Sequence, residues 1–432
     1  MTTMISAQPT PAPAAPPTSN RAGRYRMLAL VLTGAAVMSL TRIIADSDNL
    51  TSSGTFGVAL RGAIPIALAG FAGLFAERSG TVNIGLEGMM VIGTIMAGWW
   101  GWHWGPWMAL LGAILGGVAM GLLHGLATIT FGVNHIVSGF AINILAPGIS
   151  RFMANKLFTG QPGGSVTNSP GNSAPIGKFT MPFTSGGDLF GWKTPDPLGW
   201  LEDKGWFLIS DIAGLLKGLT SNLTYDVVLV IVVFFLAGYV LWRTPFGLRL
   251  RSAGEHPNAA DSLGVNVYRV KYAGIAISGG LAGLGGGVLE LFTNRYQENS
   301  VAGRGFLGLA TLIFGNWRPT GIMAGAGLFG FFQGITLRTQ PERLVRALML
   351  AAAIALLLVT VWAIARRRPD VWLAAAIFTG LAFVAYLMVD RPNNQIVYIT
   401  PYLVTLIAVS INSTRMRPPK AAGIPWRKGQ QM

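Results

Sequence analysis

The chain has 432 residues, of which 51% are hydrophobic and 11% charged, with mean hydropathy +0.50; a soluble domain carries about 25% charged residues, so a water-soluble globular fold is excluded. The formal charge of +15 comes from 32 Lys+Arg against 17 Asp+Glu, but these basic residues fall mainly in loops between apolar runs. That is a topology signal, and no nucleic-acid partner is expected. The absence of cysteine removes a disulfide framework, a thiolate metal site and a cysteine nucleophile.

Residues 1–26 begin with a Pro-, Ala-, Thr- and Ser-rich stretch that cannot bury a core and are expected to form a disordered cytoplasmic tail. Arg21, Arg24 and Arg26 precede the run Met27–Ala45. This run is longer than a signal-peptide core and lacks a clear A-x-A site, so it reads as an uncleaved first span with the N-terminus inside. Further spans are predicted at Val58–Ala76, Val82–Trp102, Pro106–Phe131, Ile136–Phe152, Asp226–Leu241, Tyr272–Leu291, Gly303–Asn316, Gly321–Leu337, Leu344–Ala365, Val371–Val389 and Ile396–Ile411. The fold class is an all-α polytopic membrane protein of about twelve transmembrane helices, N-in and C-in. The eighth run reaches only about 21 Å as a helix and is expected to be a broken or partly extended crossing.

This count divides the chain into a transmembrane domain over residues 27–416 and a cytoplasmic tail over 417–432. It places Arg243, Arg249, Arg251, Arg269, Lys271 and Arg366–Arg368 inside, following the positive-inside bias. Arg338, Arg343 and Arg346 dissent, falling outside. Trp99, Trp100, Trp102, Trp104 and Trp107 gather at a predicted outer boundary, with His103 among them as an interfacial residue. Residues 154–223 form the one long extracytoplasmic loop. Within it, Gly205–Leu219 has near-helical apolar spacing, suited to an interfacial helix or to a docking surface for an external solute-binding protein.

No P-loop, G-x-S-x-G elbow or zinc signature occurs. His103, His124, His135 and His256 show no ligand spacing, and neither a metal nor an enzyme is expected. Polar residues inside spans therefore carry the functional argument. Asn83 and Glu87 are predicted to share a helix face; Glu87 either faces a cavity or is fixed by backbone amides at a helix break near Gly85 and Gly88. In the fifth span Asn134 and Ser138 define one face and Asn143 another, for interhelical bonding or solute contact. His124 and Glu290 suit packing or an interface. Phe71 and Phe75 are either packing residues or a face for a planar ring. Gly279, Gly283 and Gly287 form a small-residue stripe for close helix packing. Between spans six and seven, Pro257 and Gly264 punctuate one short cytoplasmic helix in the loop 243–271.

Four stretches resemble one family: E-R-S-G-x-x-N-x-G-x-E-G-M-M from Glu77, N-x-I-V-S-G-x-x-I-N from Asn134, F-G-x-R-L-R-x-x-G-E-x-P-x-A-A-D-x-x-G-x-N-V from Phe246, and the tail from Arg417-Pro418-Pro419 to Gly423-Ile424-Pro425. They look like permeases of ABC importers for simple sugars and nucleosides, within the branched-chain amino acid permease-like family. The resemblance implies that Glu255, His256, Pro257, Asn258, Ala259, Ala260, Asp261, Leu263 and Gly264 form a coupling helix seated in a separate ATPase. It implies that spans two, three, five and eight line the pathway, and Asn83, Glu87, Asn134 and Asn143 match its motifs. The chain itself would hold no cofactor, with ATP and Mg on the partner ATPase. A second, non-identical permease, an extracytoplasmic solute-binding lipoprotein and membrane lipid would complete the assembly, in a bacterial cytoplasmic (inner) membrane. His135 departs from a Gln-like expectation, and residues 341–391 look like an inserted helix pair beside about ten family-like spans. The alternatives are an ATP-independent secondary transporter or channel, and a non-transport scaffold.

Overall fold

A computed structural model describes residues 21–338, 341–367, 369–388 and 416–429. The chain runs through α1 (Arg21–Ile44), α2 (Ser53–Arg78), α3 (Leu86–Trp104), α4 (Pro106–Gly125), α5 (His135–Leu157), α6 (Pro197–Asp203), α7 (Ile209–Gly218), α8 (Tyr225–Arg243), α9 (Pro245–Glu255), α10 (Pro257–Ser262), α11 (Val267–Thr293), α12 (Arg304–Phe314), α13 (Pro319–Arg338), α14 (Pro341–Ala365) and α15 (Pro369–Met388). Among the described residues seven helical stretches are long and apolar enough to cross a membrane. The predicted span Ile396–Ile411 lies outside the described residues.

Two crossings are not continuous helices. The predicted third span opens with extended backbone over 81–84, and the helix starts only at Leu86. Asn83 therefore precedes the helix and does not share a helical face with Glu87, a correction to the periodicity argument. The predicted eighth span holds only a short helix. Non-helical chain runs from the C-terminal end of α11 to α12, whose 11 residues reach only about 16 Å.

The long helix α11 is the central post, packed on α2, α3 and α4. Its small residues let backbones meet. A Cβ on Gly279 would lie 2.2 Å from the Gly117 carbonyl oxygen, one on Gly283 2.2 Å from that of Ala113, and one on Gly287 2.7 Å from the Ala113 side chain. Without a hydrophobic driving force between helices in lipid, such close approach is how they associate. Gly283→Val should consequently abolish accumulation of the chain in the membrane, because the clash is with backbone and neither helix can move aside. Fluorescence-detected size exclusion checks this; a wild-type peak would refute it.

The long loop 154–223 is tied down. Asp211 of α7 bonds the Arg42 guanidinium at 2.9 Å, and Arg42 also reaches the Gly205 carbonyl at 3.1 Å. Gly218 and Gly214 press α7 onto the first turn of α2. The opposite face exposes Ile209, Ile212, Leu216 and Leu219, the composition of a helix lying at a membrane interface. At the other margin α14 and α15 pack together, with the Thr360 and Thr379 hydroxyls 3.4 Å apart.

Candidate functional site

The break in the eighth crossing sets a physical problem: the first amides of α12 have no partners within the helix, and in the bundle interior water cannot supply them. Glu87 supplies them from α3. Its Oε1 accepts from the Gly303 N–H and its Oε2 from the Gly305 N–H, each at 2.7 Å. A carboxylate at a helix N-terminus also opposes the positive end of the helix dipole. The amides are those of the distant α12, not of Gly85 and Gly88, so Glu87 spans the break between two elements.

The same carboxylate borders a cavity of about 150 Å³, which Asn143, Ser150, Tyr296, Glu298 and Asn299 also line. Glu87 thus faces the cavity and caps α12 at once, while the amides of Gly85 and Gly88 go instead to Asn83 and Asn143. Tyr296 and Ser150 hydroxyls hydrogen-bond at 2.9 Å across the wall. Carboxylate, amide and hydroxyl groups alternate with Val91, Pro147 and Val301, a lining that takes hydrogen bonds from a polar solute and contacts its apolar faces. Pockets that enclose drug-sized molecules run from about 300 to 1,000 Å³, so a solute of that size fits only after the walls separate.

The extended segment that leads into α3 is held by side chains, since among the described residues its backbone has no ladder partner. The Val82 N–H donates to His135 Nδ1 at 3.0 Å, and the Val82 carbonyl lies 3.0 Å from His124 Nε2. A carbonyl only accepts, so Nε2 of His124 carries the hydrogen and Nδ1 accepts from the Ser138 hydroxyl at 2.9 Å. Asn83 Nδ2 donates to Ser278 Oγ at 2.9 Å while its Oδ1 accepts from the Gly85 N–H. Asn143 donates to the Ile84 carbonyl and accepts from the Gly88 N–H, at 2.9 and 2.8 Å. These residues fix α3, and through Glu87 they fix the mouth of α12.

Of the pathway residues taken from the sequence, Glu87 and Asn143 line the cavity; Asn83, Asn134, Ser138, Phe71 and Phe75 do not. Asn134 is the N-cap of α5, accepting from Ile136 and Val137 amides. Phe71 is fully buried and stacks on Phe234 with centroids 4.8 Å apart, and Phe75 joins the same core. Tyr296, Ser150 and Glu298 were missed. They sit outside the repeated motifs, and the only sequence signal for Tyr296 and Glu298 is their position just before the short eighth run.

At the end of the bundle that carries α9 and α10, Arg78 donates to the Trp317 carbonyl at 2.9 Å and pairs with Glu255 at 3.4 Å, while Glu77 accepts from the Trp317 indole. The turn from α12 to α13 is thereby linked to α2 and to α9. Gly80, at φ +87°, turns the chain away beneath α2, and Gly254 packs against it. The expected short helix is α10, with Pro257 at its start and Gly264 (φ +82°) after its end. Pro257 and Ala260 are buried, Asn258 and Asp261 half-buried, and His256, Ala259, Leu263 and Gly264 exposed. Leu263 is 85% exposed.

A polytopic helical bundle broken around a polar cavity, with a short helix at one end, is an architecture suited to a transport permease. Residues 56–358 match the family described as the branched-chain amino acid transport system permease component, and the chain belongs to that family. It is a permease subunit of an ABC importer, and not itself an enzyme. It is 33% identical over 377 residues to the guanosine ABC transporter permease protein NupQ of Bacillus subtilis, with 85% of this chain and 95% of that protein covered. It is 36% identical over 280 residues to the nucleoside ABC transporter permease protein NupC of Lactococcus lactis, covering 63% and 78%. A second Bacillus subtilis protein, the guanosine ABC transporter permease protein NupP, is 26% identical over 286 residues, covering 63% and 71%. No solved structure matches.

Proposed function

We propose that the chain carries nucleosides inward across a bacterial cytoplasmic membrane by alternating access, driven by ATP hydrolysis on separate subunits that hold the nucleotide and its Mg. The observation that carries this reading is the match of 95% of the guanosine permease NupQ to this chain. In this reading the solute passes the Glu87–Asn143 cavity, and α10 seats in a groove of the ATPase with Leu263 as its apolar contact. Twelve crossings, both termini inside, would set α10 and the tail on the ATPase side. The similarity to both NupQ and NupP, two different chains of one organism, favours a second, non-identical permease, and an extracytoplasmic binding lipoprotein would deliver solute.

The test is purification of the tagged chain with its native partners, followed by reconstitution into vesicles. ATP-dependent accumulation of labelled guanosine, competed by other nucleosides but not by glucose, is the expected result. Accumulation of glucose alone would replace the solute class. Uptake by the isolated chain without ATP would replace the mechanism with a facilitative one.

A further inference from the structure

The polypeptide after the last predicted span does not trail away. Residues 416–429 lie across the inner end of the bundle and touch each of its separate turns. The Arg417 N–H donates to Asn316 Oδ1 at 2.8 Å, in the turn between α12 and α13. Ala421 N–H donates to the Gly254 carbonyl of α9 at 2.9 Å, and Gly423 N–H to the Gly80 carbonyl at 3.3 Å. Trp426 closes the strap: its indole Nε1 donates to Asn258 Oδ1 of α10 at 2.6 Å, and its ring packs on Tyr268 with centroids 5.1 Å apart. Trp426 is only 6% exposed and joins Ala253, Ala260 and Val267 in a small core of its own. A buried tryptophan that satisfies its N–H and fills an aromatic contact is a rigid anchor.

α10 has only 6 residues and cannot hold its own position, because isolated helices this short are marginal in water. Asn258 gains the indole partner from the tail, and Ala260 packs with Ala253, Val267 and Trp426. The other end of the strap bonds the Gly80 turn, which leads into the extended segment behind Glu87, and the turn at the foot of α12. A displacement of α10 would therefore reach both broken elements, the extended segment before α3 and the foot of α12, through hydrogen-bonded backbone.

We propose that the 416–429 tail is a strut of the coupling apparatus, with Trp426 as the positioning residue that fixes α10 relative to the Gly80 and Asn316 turns, so that movement of the ATPase reaches the solute cavity. This rests on the reading of α10 as the ATPase contact.

The test uses the assembled, reconstituted transporter and compares Trp426→Ala, Trp426→Phe and removal of residues 416–432. Each is scored for ATPase retained on the tagged permease and for the ratio of solute-stimulated to basal hydrolysis. The expected result for Trp426→Ala is retained ATPase and basal hydrolysis, with the stimulated component and uptake lowered roughly tenfold, as loss of a buried hydrogen bond and ring contact implies. Trp426→Phe keeps the ring and loses only the N–H, so it should restore most of the stimulation; it also decides the matter if the alanine variant fails to fold. A normal stimulation ratio in both the truncation and Trp426→Ala overturns the strut. So does loss of the ATPase itself from a folded Trp426→Ala complex, which would make the tail a direct docking site. Leu263→Asp serves as the separate control. If it retains the ATPase, the α10 reading fails whatever the Trp426 variants do.

Discussion

Replacing Glu87 with alanine should lower uptake at least roughly a hundredfold while leaving the chain in the membrane. Two charge-assisted hydrogen bonds of about 1.5–3 kcal/mol each disappear, and two amides at the head of α12 lose their acceptor where water is scarce. The start of α12 would then unwind or tilt, and the cavity wall formed by residues 298–302 would move with it. Glu87→Gln separates charge from shape. Its single carbonyl oxygen can accept from one amide, while its NH2 opposes the other, so a loss of roughly tenfold is expected. Uptake normalised to membrane abundance checks both variants. Wild-type kinetics in the alanine variant would mean that α12 needs no cap and that Glu87 has no part in transport.

Leu263→Asp should release the ATPase. Leu263 stands 85% exposed at the end of α10, where burying a leucine side chain in a partner groove contributes about 1.5–3 kcal/mol. Aspartate forfeits that gain and adds an uncompensated charge to a desolvated contact, so affinity should fall more than about a hundredfold. Pull-down of the ATPase by the tagged permease reads this directly. Ser262→Ala, the exposed neighbour whose hydroxyl bonds within its own turn to the Asn258 carbonyl, should leave binding within about twofold. Equal recovery with Leu263→Asp and the wild type would remove α10 from the interface.

The seven long apolar helices among the described residues and the shortness of the eighth run are legible in the sequence because they depend on run length, which any continuous apolar stretch displays. The bounds of α10 follow from Pro257 and Gly264 for a similar local reason. Helix α9 was also within reach, since Thr244 before Pro245 is a cap followed by a first-turn proline, and Thr244 does accept from the Gly247 N–H. What periodicity could not give is the extended backbone at 81–84. Its partners, His124, His135 and Ser278, lie far along the chain, and the segment gains its hydrogen bonds only once α4, α5 and α11 are in place. His135 looks like a departure in the motif, yet its ring nitrogen accepts a main-chain amide, a task for which a Gln side chain has an equivalent oxygen. Asn83 and Phe71 share the same lesson. Polarity or aromaticity in a span marks a residue that needs a partner, and only the packed structure says whether that partner is protein or solute.

The strap has a consequence for the timing of assembly. Asn258 and Trp426 are separated by 168 positions, so at about 5–20 residues per second roughly ten to thirty seconds of synthesis pass before α10 receives its brace. Throughout that interval the nascent chain carries α10 without the Trp426 contact. A prematurely terminated permease would keep α10 unbraced, able under the strut proposal to hold an ATPase but not to pass its movement to the solute cavity.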